Sequence, residues 1–297
     1  MPKTLSAADT VVGCIGLGIM GAPAAKNMRR AGYSLRVFAR RPLDTSEFSE
    51  TPPHDSPAAL GESCNAAVLN VSDTPDVEEI TIGERGLIHG MKPGGIVIDM
   101  STIAPAAARN IAARLAEKEI FFLDAPVSGG QKGAIDGTLT IMCGGEEEAF
   151  TRALPLLQAM GKTITHVGAS GAGQVVKACN QIIIGATIEG VSEALVLAQK
   201  NGVDAAAARE ALLGGFAASK VLEIHGKRML DDDFAPGFKT SLHAKDMAIA
   251  IANGVENGCP LPSAKLFAER LKHLVAEGGG DLDSAAAHKI VAAETDT

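Results

Sequence analysis

Residues 11–21 constrain this chain more than any other stretch. The apolar run Val11-Val12-Gly13-Cys14-Ile15 passes without a spacer into Gly16-Leu17-Gly18-Ile19-Met20-Gly21, and a helical pattern covers Ile19 to Arg30. A strand, three glycines at this spacing and a helix form the fingerprint of a dinucleotide-binding turn. The first glycine permits the tight turn, the second lets backbone approach a pyrophosphate, and the third lets helix pack on strand, with the helix N-terminus facing the phosphates. With 33 Gly in 297 residues a chance match is easy. The strand before it, the helix after it and a further strand from Ser34 argue against chance.

The same alternation continues. Short β-branched runs at Ser34–Phe38, Ala66–Val71, Gly95–Met100, Ile120–Leu123, Leu139–Met142 and Thr163–Val167 are separated by helical patterns, among them Pro105–Lys118 and Glu146–Met160. Strand and helix in turn predict a mostly parallel sheet with helices on both faces. The pattern changes at the glycine-rich joint Gly168–Gly173. Gln174 to about Asn201 then reads as one helix, about 40 Å long at 1.5 Å per residue. Helical patterns follow at Asp204–Leu213, Lys220–Leu230, Leu242–Asn257, Pro262–Glu277 and Ser284–Glu294, with no convincing strand. The expected fold class is a Rossmann-type α/β domain, residues 1–168, followed by an all-α domain, residues 169–297, hung on one long interdomain helix.

Composition narrows the partners. At 46% apolar residues each half can bury its own core. The formal charge is -8, the wrong sign for a domain that neutralises nucleic-acid phosphates. Five cysteines (Cys14, Cys64, Cys143, Cys179, Cys259) show no CxxC and no Cys/His spacing for zinc, so they read as buried small hydrophobes in a reducing, cytoplasmic setting, with no metal site. Val11–Ala25 with Ala22-Pro23-Ala24 imitates a signal peptide, but four glycines and a proline interrupt it and Asp9 precedes it. No uninterrupted apolar run reaches bilayer-spanning length, so no membrane partner is expected.

The second strand ends Phe38-Ala39-Arg40-Arg41-Pro42, where an NAD site usually carries a carboxylate for the ribose 2'-hydroxyl. Two guanidiniums there suit a 2'-phosphate, so Arg40 and Arg41 predict NADP(H), with NAD(H) as the alternative. A nicotinamide enzyme also needs a group to give or take a proton. The only tyrosine, Tyr33, is not followed by a lysine four residues on, and the seven histidines show no obvious pairing with an acid. Lys177, in the first turns of the long helix among Val175, Val176, Ala178 and Cys179, is the remaining candidate, and a lysine snorkelling from a helix is the bland alternative.

Over nearly its whole length the chain resembles the β-hydroxyacid dehydrogenase family, which includes 3-hydroxyisobutyrate dehydrogenase. GLGIMGAP (16–23), DTPDVEE (73–79), IDMSTIAP (98–105), LDAPVSGGQKGAIDGTLTIM (123–142), GAGQVVKACNQ (171–181), GGFAASKVLE (214–223) and FAPGFKTSLHAKDM (234–247) carry the resemblance. The GGFA and PGFK blocks favour its reductases acting on tartronate semialdehyde. The resemblance implies reversible hydride transfer to a small carboxylate-bearing aldehyde from NADP(H). It makes Lys177 the general acid in reduction, with Asn180 one turn on orienting substrate. It implies further that Ser128, Gly129 and Gly130 hold the substrate carboxylate, with Gln181 and Asp246 also at the substrate. Cofactor contacts are expected from Gly16, Leu17, Gly18, Ile19, Met20 and Gly21, from Val71, Ser72 and Thr102, and from Lys245 near the nicotinamide. The chain departs from its relatives at Val71-Ser72 for Leu-Pro, Gln181 for Asn, Ala24 for Met, and at Asp283-Ser284, which lacks a following His. A homodimer or homotetramer is the implied assembly.

Overall fold

Side chains that alternate along short apolar strands set the architecture of the first half. The computed structural model describes residues 4–41, 44–50 and 52–294. Strands β1 (Val11–Ile15), β2 (Ser34–Phe38), β3 (Ala66–Leu69), β4 (Ile96–Asp99) and β5 (Phe121–Asp124) run parallel in the order β2-β1-β3-β4-β5. The two-residue β6 (Val127–Ser128) and β5 both pair antiparallel with β7 (Leu139–Gly145), and β8 (Gly161–Gly168) runs parallel to β7. Val12, Cys14, Ala66, Val68, Ile96 and Ile98 pack on one face with α1 (Gly21–Arg30), α5 (Gly130–Asp136) and α6 (Glu147–Gln158). The residues of opposite parity, Ile15, Ala67, Leu69 and Val97, pack on the other with α2 (Pro57–Glu62), α3 (Thr74–Ile82) and α4 (Pro105–Ala116). Strands buried on both faces are apolar throughout, which is why the runs are legible in the sequence.

Several expectations are corrected. The third strand stops at Leu69, because the Val71 N–H leaves the ladder and donates to the Ser101 hydroxyl at 2.9 Å. The elements α2, α3, α5 and β6 had no counterpart in the sequence reading: each is short, and α5 starts in a glycine pair.

After β8 only helices follow among the described residues: α7 (Ala172–Lys200), α8 (Ala205–Leu213), α9 (Lys220–Leu230), α10 (Thr240–Glu256), α11 (Pro262–Ala276) and α12 (Ala287–Glu294). Two compact units divide after Lys177, so the first one and a half turns of α7 belong with the sheet and the expected joint at Gly168 lies inside the first unit. The second unit has its own core, centred on Ile188, Leu195, Leu222, Met247, Phe267 and Leu271. Asp204 and Ser219 cap α8 and α9 by accepting from the Ala206 and Leu222 amides, which ends the connecting loops where the sequence predicted.

By length and hydropathy alone α7 is apolar enough to cross a membrane, a property that apolar run length does not reveal. Its buried positions nevertheless include Gln174, Lys177, Gln181, Glu189 and Ser192, and Glu189 receives the Arg270 Nε at 3.0 Å. Hydrocarbon would leave these groups unpaired, so α7 is the core helix of a folded domain. The cysteines divide: Cys14, Cys64 and Cys143 are buried, whereas Cys179 and Cys259 are exposed, which corrects their common assignment to the core.

A buried carboxylate ties the end of the chain to the helices before it. Asp283 accepts from the amides of Gly237 (3.1 Å), Phe238 (2.9 Å) and Ala285 (3.0 Å) and pairs with Arg228 (3.0 Å) and His225 (3.4 Å). The His225 pair overturns the expectation that no histidine meets an acid. Burial pushes the Asp283 carboxyl up, but His225 and the amides outweigh it and hold the carboxyl down at about 2. A folded value below the unfolded one contributes stability that is present above pH 4 or so and lost as pH falls toward 2, about 2 kcal/mol in full. Asp283→Asn is therefore expected to lower the thermal midpoint near neutrality, with the gap from wild type closing on acidification; a gap independent of pH contradicts this.

Candidate active site

At the C-terminal edge of the sheet β1 turns into α1 through the glycine motif. Gly16 has φ +89°, and a Cβ there would lie 2.2 Å from the Asn70 carbonyl oxygen. A Cβ on Gly21 would lie 1.9 Å from the Gly16 carbonyl oxygen. These two glycines are required by the protein itself. A Cβ on Gly18 meets nothing within 4 Å, so the protein itself does not require glycine there. Met20 caps α1 without a side-chain hydrogen bond and no acid occupies the first turn, which leaves the amide ends and their positive field for an anion.

A cleft of about 720 Å³ lies along this turn, lined by Gly16, Leu17, Gly18, Arg40, Arg41, Val71 and Ser72, all expected, and by Asn70, Asp76, Glu79 and Arg85, which sequence reasoning missed. Ile19, Met20, Gly21 and Thr102 are not among its lining residues; Ile19 is exposed. Arg40 is not free of carboxylates: its guanidinium pairs with Asp76 of α3 at 2.8 Å. The expectation that no acid stands at this corner is therefore corrected, since it considered only the residues following β2. The Arg40 side chain is 74% exposed, so the pair is weak and open to exchange with a phosphate. The open space over Gly18 and the helix end without a side-chain cap fit a dinucleotide, and three arginines line the same cleft together with Asp76 and Glu79.

Farther along the same sheet edge, β5 ends in Asp124, and Val127 and Ser128 follow directly in β6. Gly129 (φ +129°) and Gly130 (φ +61°) then turn the chain into α5. Lys177 on α7 is buried, and its Nζ donates to the Val127 carbonyl oxygen at 3.0 Å, which brings the ammonium to the residue before Ser128. The first turn of α7 is held from both sides. Asp124 accepts the amides of Gly171 (2.7 Å) and Gln174 (2.9 Å). The Gln174 side chain accepts from the Ile103 amide (3.1 Å) and donates to the Ser101 carbonyl (2.8 Å).

In the second unit Asn180 and Gln181 follow Lys177 at i+3 and i+4 on α7. The Asn180 amide donates to Gln181 Oε1 and Gln181 Nε2 donates to Asp246 Oδ2, both at 2.8 Å. The other Asp246 oxygen holds the Lys245 ammonium at 2.8 Å. Four of the expected residues thus form one polar chain, and both amides belong to it.

Residues 11–168 match the model for the NAD-binding domain of 6-phosphogluconate dehydrogenase, and residues 171–291 match that for the NAD-binding region of NADP-dependent 3-hydroxyisobutyrate dehydrogenase. The 2-hydroxy-3-oxopropionate reductase of Escherichia coli is 42% identical over 276 residues, which is 93% of this chain and 94% of that one. The chain belongs to the β-hydroxyacid dehydrogenase family. The 3-hydroxyisobutyrate dehydrogenase of Pseudomonas aeruginosa is 37% identical, covering 85% of this chain and 88% of its own. Among solved structures, the Mycobacterium tuberculosis 3-hydroxyisobutyrate dehydrogenase superposes with TM-score 0.87 at 29% identity, covering 95% of this chain and 99% of that one. The Salmonella typhimurium 3-hydroxyisobutyrate dehydrogenase does so with TM-score 0.83 at 31% identity, covering 95% and 100%.

For this β-hydroxyacid dehydrogenase, an NAD(P)-dependent oxidoreductase, the three motif glycines separate by experiment. Gly18→Ala is expected to leave the thermal midpoint of the free protein unchanged while weakening dinucleotide binding in a fluorescence titration. Gly16→Ala is expected to cost the free protein at least about 2 kcal/mol, through backbone strain and the Asn70 clash. Equal loss of stability in both variants contradicts the assignment.

Proposed function

We propose that the enzyme reduces tartronate semialdehyde to glycerate with NADPH, reversibly, and that Lys177 is the proton donor. The observation that carries this reading is the buried ammonium of Lys177 beside the Ser128–Gly130 segment, which follows β5 at the sheet edge where the dinucleotide cleft also lies. When bound, NADPH supplies the hydride to the aldehyde carbon. Ser128 and the amides of Gly129 and Gly130 take the substrate carboxylate, in a concave backbone of the kind that binds anions. The Lys177 ammonium faces the oxygen that gains charge as the aldehyde carbon accepts hydride, and transfers its proton to it; solvent restores the ammonium. A cation aimed at developing charge stabilises the transition state more than the ground state. Asn180, Gln181 and Asp246 are assigned to orienting substrate, and Lys245 to the nicotinamide end.

The 42% identity to a 2-hydroxy-3-oxopropionate reductase supports the choice of substrate. A second reading, oxidation of 3-hydroxyisobutyrate, is supported by the Pseudomonas aeruginosa relative; succinic semialdehyde and glyoxylate are further candidates of the same chemical class. The preference for NADPH rests on Arg40, Arg41 and Arg85 in the cleft, against which Asp76 and Glu79 count. Exposed Ile183, Leu197 and Phe216 on the helical unit support a homo-oligomer.

A panel of these acids, each assayed with NADPH and NADH, tests the function. The highest kcat/KM is expected for tartronate semialdehyde with NADPH; a higher value with NADH, or for another acid, replaces that part of the reading. Lys177→Ala is expected to lower kcat by about 10²- to 10⁴-fold with NADPH binding intact. Near-normal turnover in that variant removes the lysine from the mechanism.

A further inference from the structure

Among the described residues, Asp124 is, with Asp99, one of two fully buried carboxylates in the first unit that the proposed reaction does not use. It is fully buried, and its two oxygens are taken by backbone amides at the start of α7. The space for this carboxylate is made by two neighbours without side chains. A Cβ on Gly144 would lie 2.6 Å from Asp124 Oδ1, and one on Gly173 would lie 2.9 Å from Oδ2 and 2.4 Å from the Met142 carbonyl oxygen. Strand β7 and helix α7 therefore both yield room so that a carboxylate can sit against a helix N-terminus, where the helix dipole favours its charge.

The connections form a closed circuit. From Asp124 the chain runs three residues to Val127, whose carbonyl holds the Lys177 ammonium; from Lys177 the helix runs one turn back to Gln174, whose amide returns to Asp124. A shift of the α7 first turn would move the Lys177 backbone relative to Ser128–Gly130, and the lysine stem would then have to reach the Val127 carbonyl from a displaced origin.

We propose that Asp124 is a positioning residue: its ionised carboxylate fixes the first turn of α7 and thereby holds the Lys177 ammonium in register with the Ser128–Gly130 segment. The inference rests on the reading of Lys177 as proton donor. The titratable groups beside Asp124 are Asp99, its partner in register on β4, and the Cys143 thiol on β7, while the Lys177 ammonium, one turn along α7, is held at the Val127 carbonyl. Burial pushes the Asp124 carboxyl up to about 6, against the pull of the Gly171, Gln174 and Gly173 amides. An acid whose folded value is raised costs the fold stability once ionised, and this cost appears as pH rises from about 4 through about 6. The protein carries that charge at neutral pH in spite of the cost.

The test compares the full-length wild type with Asp124→Asn, with Lys177→Ala as control. For Asp124→Asn, kcat is expected to fall about 10- to 100-fold, the loss that follows a displacement of about 1 Å. NADPH affinity, read by fluorescence, and the thermal midpoint above neutrality are expected to hold. In the wild type, turnover is expected to fall on the acid side with a single-proton dependence near pH 6, with NADPH still bound, and Asp124→Asn is expected to lack that limb. Wild-type kcat in Asp124→Asn, or persistence of its acid limb, overturns the proposal, as does loss of kcat only in step with loss of the fold. If the variant does not fold, a flat wild-type profile through this range overturns it equally. Lys177→Ala separates the two ideas: full turnover there defeats the proton-donor reading itself, whereas an inactive Lys177→Ala beside an unaffected Asp124→Asn defeats only the positioning role.

Discussion

One carboxylate joins the sheet to the helix that carries Lys177. Asp124 ends β5 and accepts the first free amides of α7, so a strand end and a helix start, 47 to 50 residues apart in sequence, become one rigid corner. Helix N-termini leave several amides without intrahelical partners, and a buried one must find acceptors. Asp124 and Gln174 between them satisfy that need and spread the anchoring over β4 and β5. This anchoring sets where the Lys177 side chain starts, and its ammonium donates to the carbonyl that precedes the Ser128–Gly130 turn.

The same edge of the sheet supplies the dinucleotide cleft through a different device. Here backbone approaches backbone, and Gly16 and Gly21 are needed before any ligand arrives. Gly18 alone of the three has open space where a Cβ would stand. The cleft is electrically mixed, with Arg40, Arg41 and Arg85 facing Asp76 and Glu79. An exposed Arg40–Asp76 pair contributes little to the fold, so its arginine is available to a phosphate at small cost. Arginines along the glycine turn, the buried Lys177 ammonium and the Gly129–Gly130 backbone beside it are the features on which the proposed reduction of a small carboxylate-bearing aldehyde rests. That agrees with a chain holding nine Phe, one Tyr and no Trp, because no aromatic box is required.

The parallel sheet and the long helices were legible in the sequence because apolar strands buried on both faces and helices with a buried stripe leave strong periodic signals. Short elements leave none: α5 spans Gly130–Asp136 with two buried residues, and α2 covers six residues. Long-range pairing was equally silent. Nothing local ties Asp76 to Arg40, or His225 to Asp283, and both acids were overlooked as partners. Asp124 was visible only as a letter in the LDAPVSGG block; its amide partners lie on the far side of β8, where no spacing rule reaches. The glycine-rich run at 168–173 marked a real change of character, yet the compact first unit extends to Lys177 because Asp124 and Gln174 bind the helix start to the sheet. Cys179 shows the limit of composition as a guide, since an apolar neighbourhood along the chain still left it on the outer face of α7.

Chemical rescue tests most directly whether the Lys177 ammonium delivers the proton. Lys177→Ala would be assayed with tartronate semialdehyde and NADPH in rising concentrations of methylammonium, and separately of tetramethylammonium, which has the charge but no proton to give. The account predicts saturable recovery of turnover with methylammonium and none with tetramethylammonium. Equal recovery with both ions would make the lysine a fixed charge, and wild-type turnover without either would contradict its role altogether.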